Sequence, residues 1–302
     1  MKFSRGFINI IYFLPNLITL FYFCYKNKIN IIHTHHRYPE LLAVITGKIL
    51  KIKTITTVHS LLKGYRRLSF KSDHIIAVSN AVFLLLTDFF KVPAEKINTI
   101  LNGVETSNFQ QYIDIKVFKQ EMNIPPDLKI LLFLGRITAL KGVDILIKSF
   151  EKISIQKKDL LLLIIGDFYD NSLDKCIKDL PSNIKIIPAV ENPYLFYFTS
   201  EAVILPSLIE SLPYIMLESG LMRKPFIGSR TGGIAEFIED GENGLLFEPG
   251  NTDQLAEKIN YVLDNPEKSK LLGENLYKKV TSECSSEYYF KKLDEIYNDL
   301  VK

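Results

Sequence analysis

Two cations and two carboxylates stand out: three of them follow a run of apolar, strand-like residues within a few positions, and the fourth, Glu218, falls in an otherwise apolar helical stretch. Arg136 and Lys141 lie in Gly135-Arg136-Ile137-Thr138-Ala139-Leu140-Lys141-Gly142, directly after the run Ile130–Leu134. Arg136 offers a planar fork of donors and Lys141 a mobile point charge, a combination suited to a pyrophosphate. A helix opening near Gly142 would add backbone N–H groups and the positive end of its dipole. In isolation the plainer reading, a strand–turn–helix with two solvated cations, is preferred. Glu210 and Glu218 belong to the stretch Pro206 to Glu218. Pro213 reads as the first residue of a helix, so Glu210 sits in the loop before it and Glu218 inside it. Five residues of helical rise put Glu218 about 7–8 Å along the axis from Pro213, close to the span from a pyrophosphate to a flanking sugar. The N–H groups of Leu212 and Tyr214 can face an anion there, while the two carboxylates accept from sugar hydroxyls. A cap-like Glu210 and an exposed helical Glu218 is the competing reading. It explains Glu218 least well, because that residue closes the apolar run Ile215-Met216-Leu217.

Other candidates are weaker. Gly232 and Gly233 follow Ser229-Arg230-Thr231 and allow close backbone approach, or make a plain turn. Asn102-Gly103 alone reads as a turn before a linker. His33, His35 and His36 cluster at a strand end, with His33 and His35 on one face. No third ligand accompanies them, so no metal site is expected. His59 ends a β-branched run. It either points into a crevice and touches a transferred group or is a hydrogen-bonded strand terminus, and its spacing fits both.

These residues need elements to hold them. Short β-rich runs alternate with helical patterns: strands at Ile29–His33, Thr54–Val58, His74–Val78 and Thr99–Leu101, with helices at Glu40–Leu50 and Asn80–Phe90. A polar, irregular seam from Glu105 to Lys129 contains Pro125-Pro126. The alternation then restarts with strands at Ile130–Leu134, Leu160–Ile165, Ile184–Ile187, Ala202–Leu205 and Pro225–Gly228. Helices are expected at Val143–Ile153, Pro213–Met222 and Thr252–Leu263, and in the amphipathic tail from Glu287. This is the signature of parallel βαβ units, and it predicts two doubly wound α/β domains joined near residue 125. Ligands of such sheets lie beyond the carboxyl ends of the strands, where His59, Ser79, Asn102, Arg136, Gly166 and Ser207 stand.

Composition narrows the function classes. The chain has 302 residues, 47% of them hydrophobic, and a net charge of +3; that excludes dominant disorder and fits about two domains. Thirty-seven basic residues against 34 acidic ones do not describe a nucleic-acid binder. Cys24, Cys176 and Cys284 form no CxxC pair, which fits a reducing compartment. There is no GxGxxG, GxxxxGK[ST] or GxSxG. Without an Asp-x-Asp pair, a divalent metal holding a nucleotide diphosphate is not indicated, and Arg136 with Lys141 would neutralise it instead. Residues 6–25 carry no charge, but Asn9, Pro15, Asn16 and Thr19 interrupt them. A buried or half-buried helix is expected first. A membrane-surface helix comes second, with Phe7, Tyr12, Phe13, Phe21, Tyr22 and Phe23 at the lipid interface, and a true span third.

Taken in order, "HIIAVSN" at His74–Asn80, "ILNGVETSNF" at Ile100–Phe109, "LGRITALKGVDILIKSF" at Leu134–Phe150, "IIGD" at Ile164–Asp167, "LPSLIESLPYIMLE" at Leu205–Glu218 and "TGGIAEFIEDGENGLLF" at Thr231–Phe247 resemble the retaining glycosyltransferases of family 4. The resemblance implies a GT-B fold: two Rossmann-like doubly wound parallel-sheet domains facing a cleft. Residues 1–125 would form an acceptor-side domain and residues 126–285 the nucleotide-sugar donor domain, with a C-terminal helix at 286–302 packing back towards the first. It implies transfer of a sugar from a nucleotide-diphosphate sugar to a glycan or lipid-linked acceptor, with retention and without a cofactor or metal. Arg136, Lys141, Glu210 and His59 match catalytic positions. Gly135, Gly166, Asp167, Val190, Leu212, Pro213, Tyr214 and Glu218 match donor-binding ones. Glu210 is expected at the transferred sugar, Glu218 at the ribose, and the segments near Gly166 and Val190 beside the base. The Gly-rich loop with which family members usually begin is missing, so the first domain is expected to be reduced. The competing expectations are a fragment with a misplaced start, or a partner chain completing that sheet, the chain then being a half-enzyme that binds donor and needs such a partner. The expected location is cytoplasmic, peripheral at the inner membrane face.

Overall fold

The computed structural model describes residues 12–106, 115–174 and 176–301. The described residues form two compact units. One holds the residues up to Leu101 together with those from Tyr289 onward, and the other is Asn102–Tyr288.

The first unit carries a four-stranded parallel sheet of β1 (Ile31–Thr34), β2 (Lys53–Val58), β3 (His74–Ala77) and β4 (Ile97–Thr99), in that order across the sheet. Helix α1 (Phe13–Lys26) packs on α2 (Arg37–Leu50), which connects β1 to β2. Helix α3 (Asn80–Leu84) is capped by Ser79, whose hydroxyl accepts from the Val82 N–H, and runs into a π-helical turn at Leu85–Phe89. The expected continuous helix to Phe90 is therefore widened in its second half. Thr54 and Thr56 face Asp73 and Ser72, and Ile55 faces the other way, into a cluster with Ile76, Ile100 and Leu293. Leu293 belongs to the C-terminal helix (Ser286–Val301), whose Tyr289, Ile296, Tyr297 and Leu300 also pack against that cluster. Burying such a side chain contributes about 1.5–3 kcal/mol.

In α1 only Asn16 and Cys24 are buried, whereas Leu14, Ile18, Tyr22, Phe23 and Tyr25 are more than half exposed. Of the first expectation, a buried or half-buried helix, the half-buried form is the one found, with a narrow buried stripe. Asn16 donates to the Tyr38 hydroxyl at 3.3 Å, and the Phe13 ring meets Tyr38 edge-on. Phe7 lies outside the described residues.

The second unit holds a six-stranded parallel sheet. Its strands are β5 (Lys129–Leu134), β6 (Leu160–Ile165), β7 (Ile184–Ile187), β8 (Ser200–Leu205), β9 (Phe226–Ser229) and β10 (Leu245–Phe247), ordered β10-β9-β8-β5-β6-β7. β5 and β6 are almost wholly apolar and buried, as strands covered on both faces must be. The chain winds outward from β5 to β7, then returns to the other side of β5 at β8. That reversal opens a crevice beyond the carboxyl ends of β5 and β8. The seam contains a short helix, α4 (Ile115–Glu121), whose Phe118 meets Phe196 edge-on at 5.0 Å. Val104 also pairs with Ser285. These contacts attach the seam to the second unit, so the units divide at Leu101 and Asn102, ahead of residue 125.

Candidate functional site

The reversal point gathers the loops after β5 and β8. After β5, Thr138 accepts from the Lys141 N–H and closes a single 3₁₀ turn, Ala139–Lys141. The turn ends at Gly142 with φ of 70°. A Cβ there would lie 2.0 Å from the Pro206 carbonyl oxygen, so only glycine lets the two loops touch. Helix α5 (Val143–Ser154) follows. Across the gap, the Leu208 N–H donates to the Leu140 carbonyl at 2.9 Å. The Glu210 carbonyl accepts from Gly233 at 3.2 Å, at the start of α8 (Gly232–Phe237). Braced in this way, Lys141 Nζ lies 2.5 Å from Glu210 Oε2, with the two side chains 20% and 13% exposed. The pair joins residues 69 apart in sequence.

Arg136 extends into solvent from the same loop, its guanidinium 5.0 Å from the centre of the Tyr169 ring. No carboxylate among the described residues lies within ion-pair distance of it. Its backbone is fixed by its neighbours. Gly135 donates to Ile165, and Ile137 to Asp167, both at 2.9 Å. Gly166, buried, passes so close that a Cβ would lie 1.8 Å from the Gly135 carbonyl oxygen. Asp167 is exposed and accepts from the Ala189 N–H at 3.2 Å, beside half-buried Val190.

Glu218 occupies a separate environment. It lies in α7 (Tyr214–Leu221), where Tyr197 donates to its Oε2 at 2.5 Å. Tyr197 comes from α6 (Tyr194–Thr199) and is fully buried. Burial raises the Glu218 carboxyl above the ordinary range, and the Tyr197 hydrogen bond partly offsets it. The same burial and the neighbouring carboxylate push the Tyr197 hydroxyl well up. Pro213, expected as the first helical residue, stands at the position just outside α7, and Tyr214 opens the helix one residue later than expected. No side chain caps that end. Leu212 is buried, and its carbonyl accepts from Asn102 Nδ2 at 2.8 Å. Ser207 is fully buried with its hydroxyl unpartnered.

His59 lies in the first unit, at the end of β2. Its Nε2 is 3.0 Å from His35 Nδ1, and the two rings stack. His35 in turn stacks on His33 at 4.6 Å. His33 Nδ1 meets the Tyr297 hydroxyl at 2.6 Å, and its Nε2 meets the Thr57 hydroxyl at 2.7 Å. Burial, then the charges of His35 and His59, lower the His33 pKa to about 4. Among the described residues no group of three or more His, Cys, Asp or Glu is placed to hold a metal ion.

Of the predicted residues, Lys141 and Glu210 are in direct contact. Gly135, Arg136, Gly166 and Asp167 share the adjoining braced loops, and Glu218 forms its own pair with Tyr197. Sequence reasoning missed Tyr197, the Asn102 bridge and the Tyr297 contact. Only the aromatic run Tyr194-Leu195-Phe196-Tyr197 hinted at the first, and nothing local signals a contact 264 residues apart.

Comparison with known proteins matches residues 114–279 to the family "Glycosyl transferases group 1" and residues 3–108 to "Glycosyltransferase Family 4". The chain is 26% identical over 294 residues to the N-acetyl-alpha-D-glucosaminyl L-malate synthase of Bacillus anthracis, covering 92% of this chain and 76% of that protein. It is 25% identical to the capsular polysaccharide biosynthesis glycosyltransferase CapM of Staphylococcus aureus, covering 87% and 73%. Among solved structures, Anabaena HepE in complex with UDP-glucose superposes with a TM-score of 0.88 at 17% identity, covering 99% of this chain and 85% of that one. The fold is thus GT-B.

Proposed function

The chain belongs to glycosyltransferase family 4, and from that premise we propose that it moves a sugar from a nucleotide-diphosphate sugar to a glycan or lipid-linked acceptor, with retention of configuration. The observation that carries the donor assignment is the Lys141–Glu210 pair at the reversal point of the second sheet. Lys141 can share its charge between Glu210 and a phosphate, and exposed Arg136 presents a fork to the same diphosphate. As the bond from the anomeric carbon to the phosphate oxygen breaks, negative charge grows on the leaving diphosphate. Fixed cations and the start of α7 stabilise that charge. In the retaining reading, the acceptor oxygen attacks on the face of departure and its proton passes to the leaving phosphate. Glu210 accepts from sugar hydroxyls, Glu218 from the ribose, and the segments at Gly166–Asp167 and Val190 border the base. His59 is assigned to the sugar on the resemblance alone. With two cations supplying neutralisation, no metal or cofactor is required in this scheme.

The acceptor class is supported by the capsular polysaccharide relative. A peripheral position at the inner membrane face is supported by the exposed apolar residues of α1. Among the described residues no helix is long and apolar enough to cross a membrane.

A thermal-shift screen across the common nucleotide-sugars tests the donor assignment, since a ligand at 100 times its Kd stabilises by about 2.7 kcal/mol. NMR of the product's anomeric signal tests retention. No shift with any nucleotide-sugar, or an inverted product, would contradict the proposal.

A further inference from the structure

Beyond His59, the segment between β2 and β3 is a basic loop with no place in the donor scheme. Residues 60–73 include Lys63, Arg66, Arg67 and Lys71 and a single acidic residue, Asp73, which accepts from the Thr54 N–H and hydroxyl. The loop is held firmly from α2. Arg37 donates to the Gly64 carbonyl at 3.0 Å and to that of Leu62, and its guanidinium sits 5.1 Å from the centres of both the Phe70 and Phe90 rings. Glu40, buried, takes the backbone N–H groups of Phe70, Lys71 and Ser72. Tyr65, Phe70 and Lys91 adopt left-handed backbone angles, with φ of 47°, 59° and 57°. Such conformations persist where surroundings enforce them and gather at functional sites.

The result is an open hollow of about 350 Å³ lined by Arg66, Arg67, Lys71, Lys91 and Phe90. Among the described residues none of its four cations lies within ion-pair distance of a carboxylate. Glu40, which faces the loop from α2, is consumed by backbone donors. Four cations lining one hollow suit a phosphate. The same loop also exposes Leu62, Leu68 and Tyr65, the last at 81%. A soluble anion needs only the cations, whereas a bilayer also takes apolar and aromatic side chains at its interface. Helix α1 is tied through half-buried Phe13 and buried Asn16 to Tyr38, next to Arg37, and its opposite side is exposed.

We infer that the hollow formed by Arg66, Arg67, Lys71 and Lys91 holds the phosphate of an anionic lipid headgroup, while Leu62, Tyr65 and Leu68 enter the interfacial layer. The inference rests on the membrane-surface reading above and names the residues that select the lipid charge.

The test is co-sedimentation of the full chain with phosphatidylcholine vesicles, with and without phosphatidylglycerol. One cation near an anionic surface is worth about fivefold in partitioning. Arg66→Ala with Arg67→Ala should therefore lower binding to the phosphatidylglycerol vesicles roughly 25-fold. The same charge loss at exposed Lys178 and Lys268, in the other unit, should lower it far less. Vesicle binding unchanged by the arginine replacements would overturn the headgroup site and leave the membrane reading intact; no binding to either vesicle would overturn both. Calorimetric binding of inorganic pyrophosphate at Arg66 and Arg67, without preference for phosphatidylglycerol, would reassign the hollow to a soluble anion.

Discussion

Replacing Lys141 with alanine exposes how strongly the site depends on pairing. Lys141 and Glu210 are 2.5 Å apart and only 20% and 13% exposed. Breaking a fully buried pair by removing one partner costs about 3–5 kcal/mol, because the other charge stays desolvated and alone. Surface pairs are worth at most about 1 kcal/mol. The residual exposure places Lys141→Ala between these limits, at about 1–3 kcal/mol. For a unit of this size each kcal/mol shifts the midpoint by roughly 2–4 °C. Adding Glu210→Gln should restore most of the loss, because the carboxamide carries no charge to strand. Thermal melts of the wild type, both single variants and the double variant form a cycle whose coupling is expected to exceed about 1 kcal/mol. Additive effects would show that the two groups do not meet, and would remove the structural basis of the donor site. The double variant should regain stability and remain inactive, which separates folding from chemistry.

Other expectations follow from neighbouring groups. Glu218→Gln should raise stability at neutral pH and weaken donor binding: a carboxyl raised by burial loses stability as pH rises from its ordinary value through its folded one, and glutamine has no such window. Melts at pH 4 and 7 with donor titrations check this. Tyr197→Phe should cost about 1–3 kcal/mol and raise the donor KM more than it lowers kcat, because Glu218 loses the donor that holds it; an unchanged KM would separate Glu218 from the donor. His33, lowered to about 4, should make stability fall as pH drops from about 6.5 to about 4. The unfolded chain binds the extra proton across that window, at a cost of about 2–3 kcal/mol after solvent screening. Urea midpoints against pH should show the slope in wild type and its loss in His33→Gln.

The parallel sheet of the second unit was legible because Leu160–Ile165 is an apolar run and Ile184–Ile187 an isoleucine-rich one of strand length, and their observed bounds coincide with the expected ones. Arg136, Lys141 and Glu210 were legible because each follows such a run within a few residues. Strand order was not, since nothing local states that β8 returns beside β5, and that return brings Lys141 to Glu210. The helix at Ile115–Glu121 hid in a polar seam because it buries only Phe118, too little to set a period. The uncharged N-terminal segment was expected to be a buried or half-buried helix, and which residues would project outward, Leu14, Ile18 and Tyr22 among them, was not legible; hydropathy reports a preference for leaving water without naming what receives it. The histidine group depends on Tyr297, delivered by a helix from the far end of the chain.

The most direct measurement is a crystal structure with a nucleoside diphosphate bound. The account predicts phosphate oxygens about 2.7–3.2 Å from the Arg136 guanidinium and Lys141 Nζ, beyond the carboxyl ends of β5 and β8. A diphosphate seated instead at the opposite end of the sheet, in the cavity lined by Lys129, Arg223, Lys224 and Lys270, would contradict it.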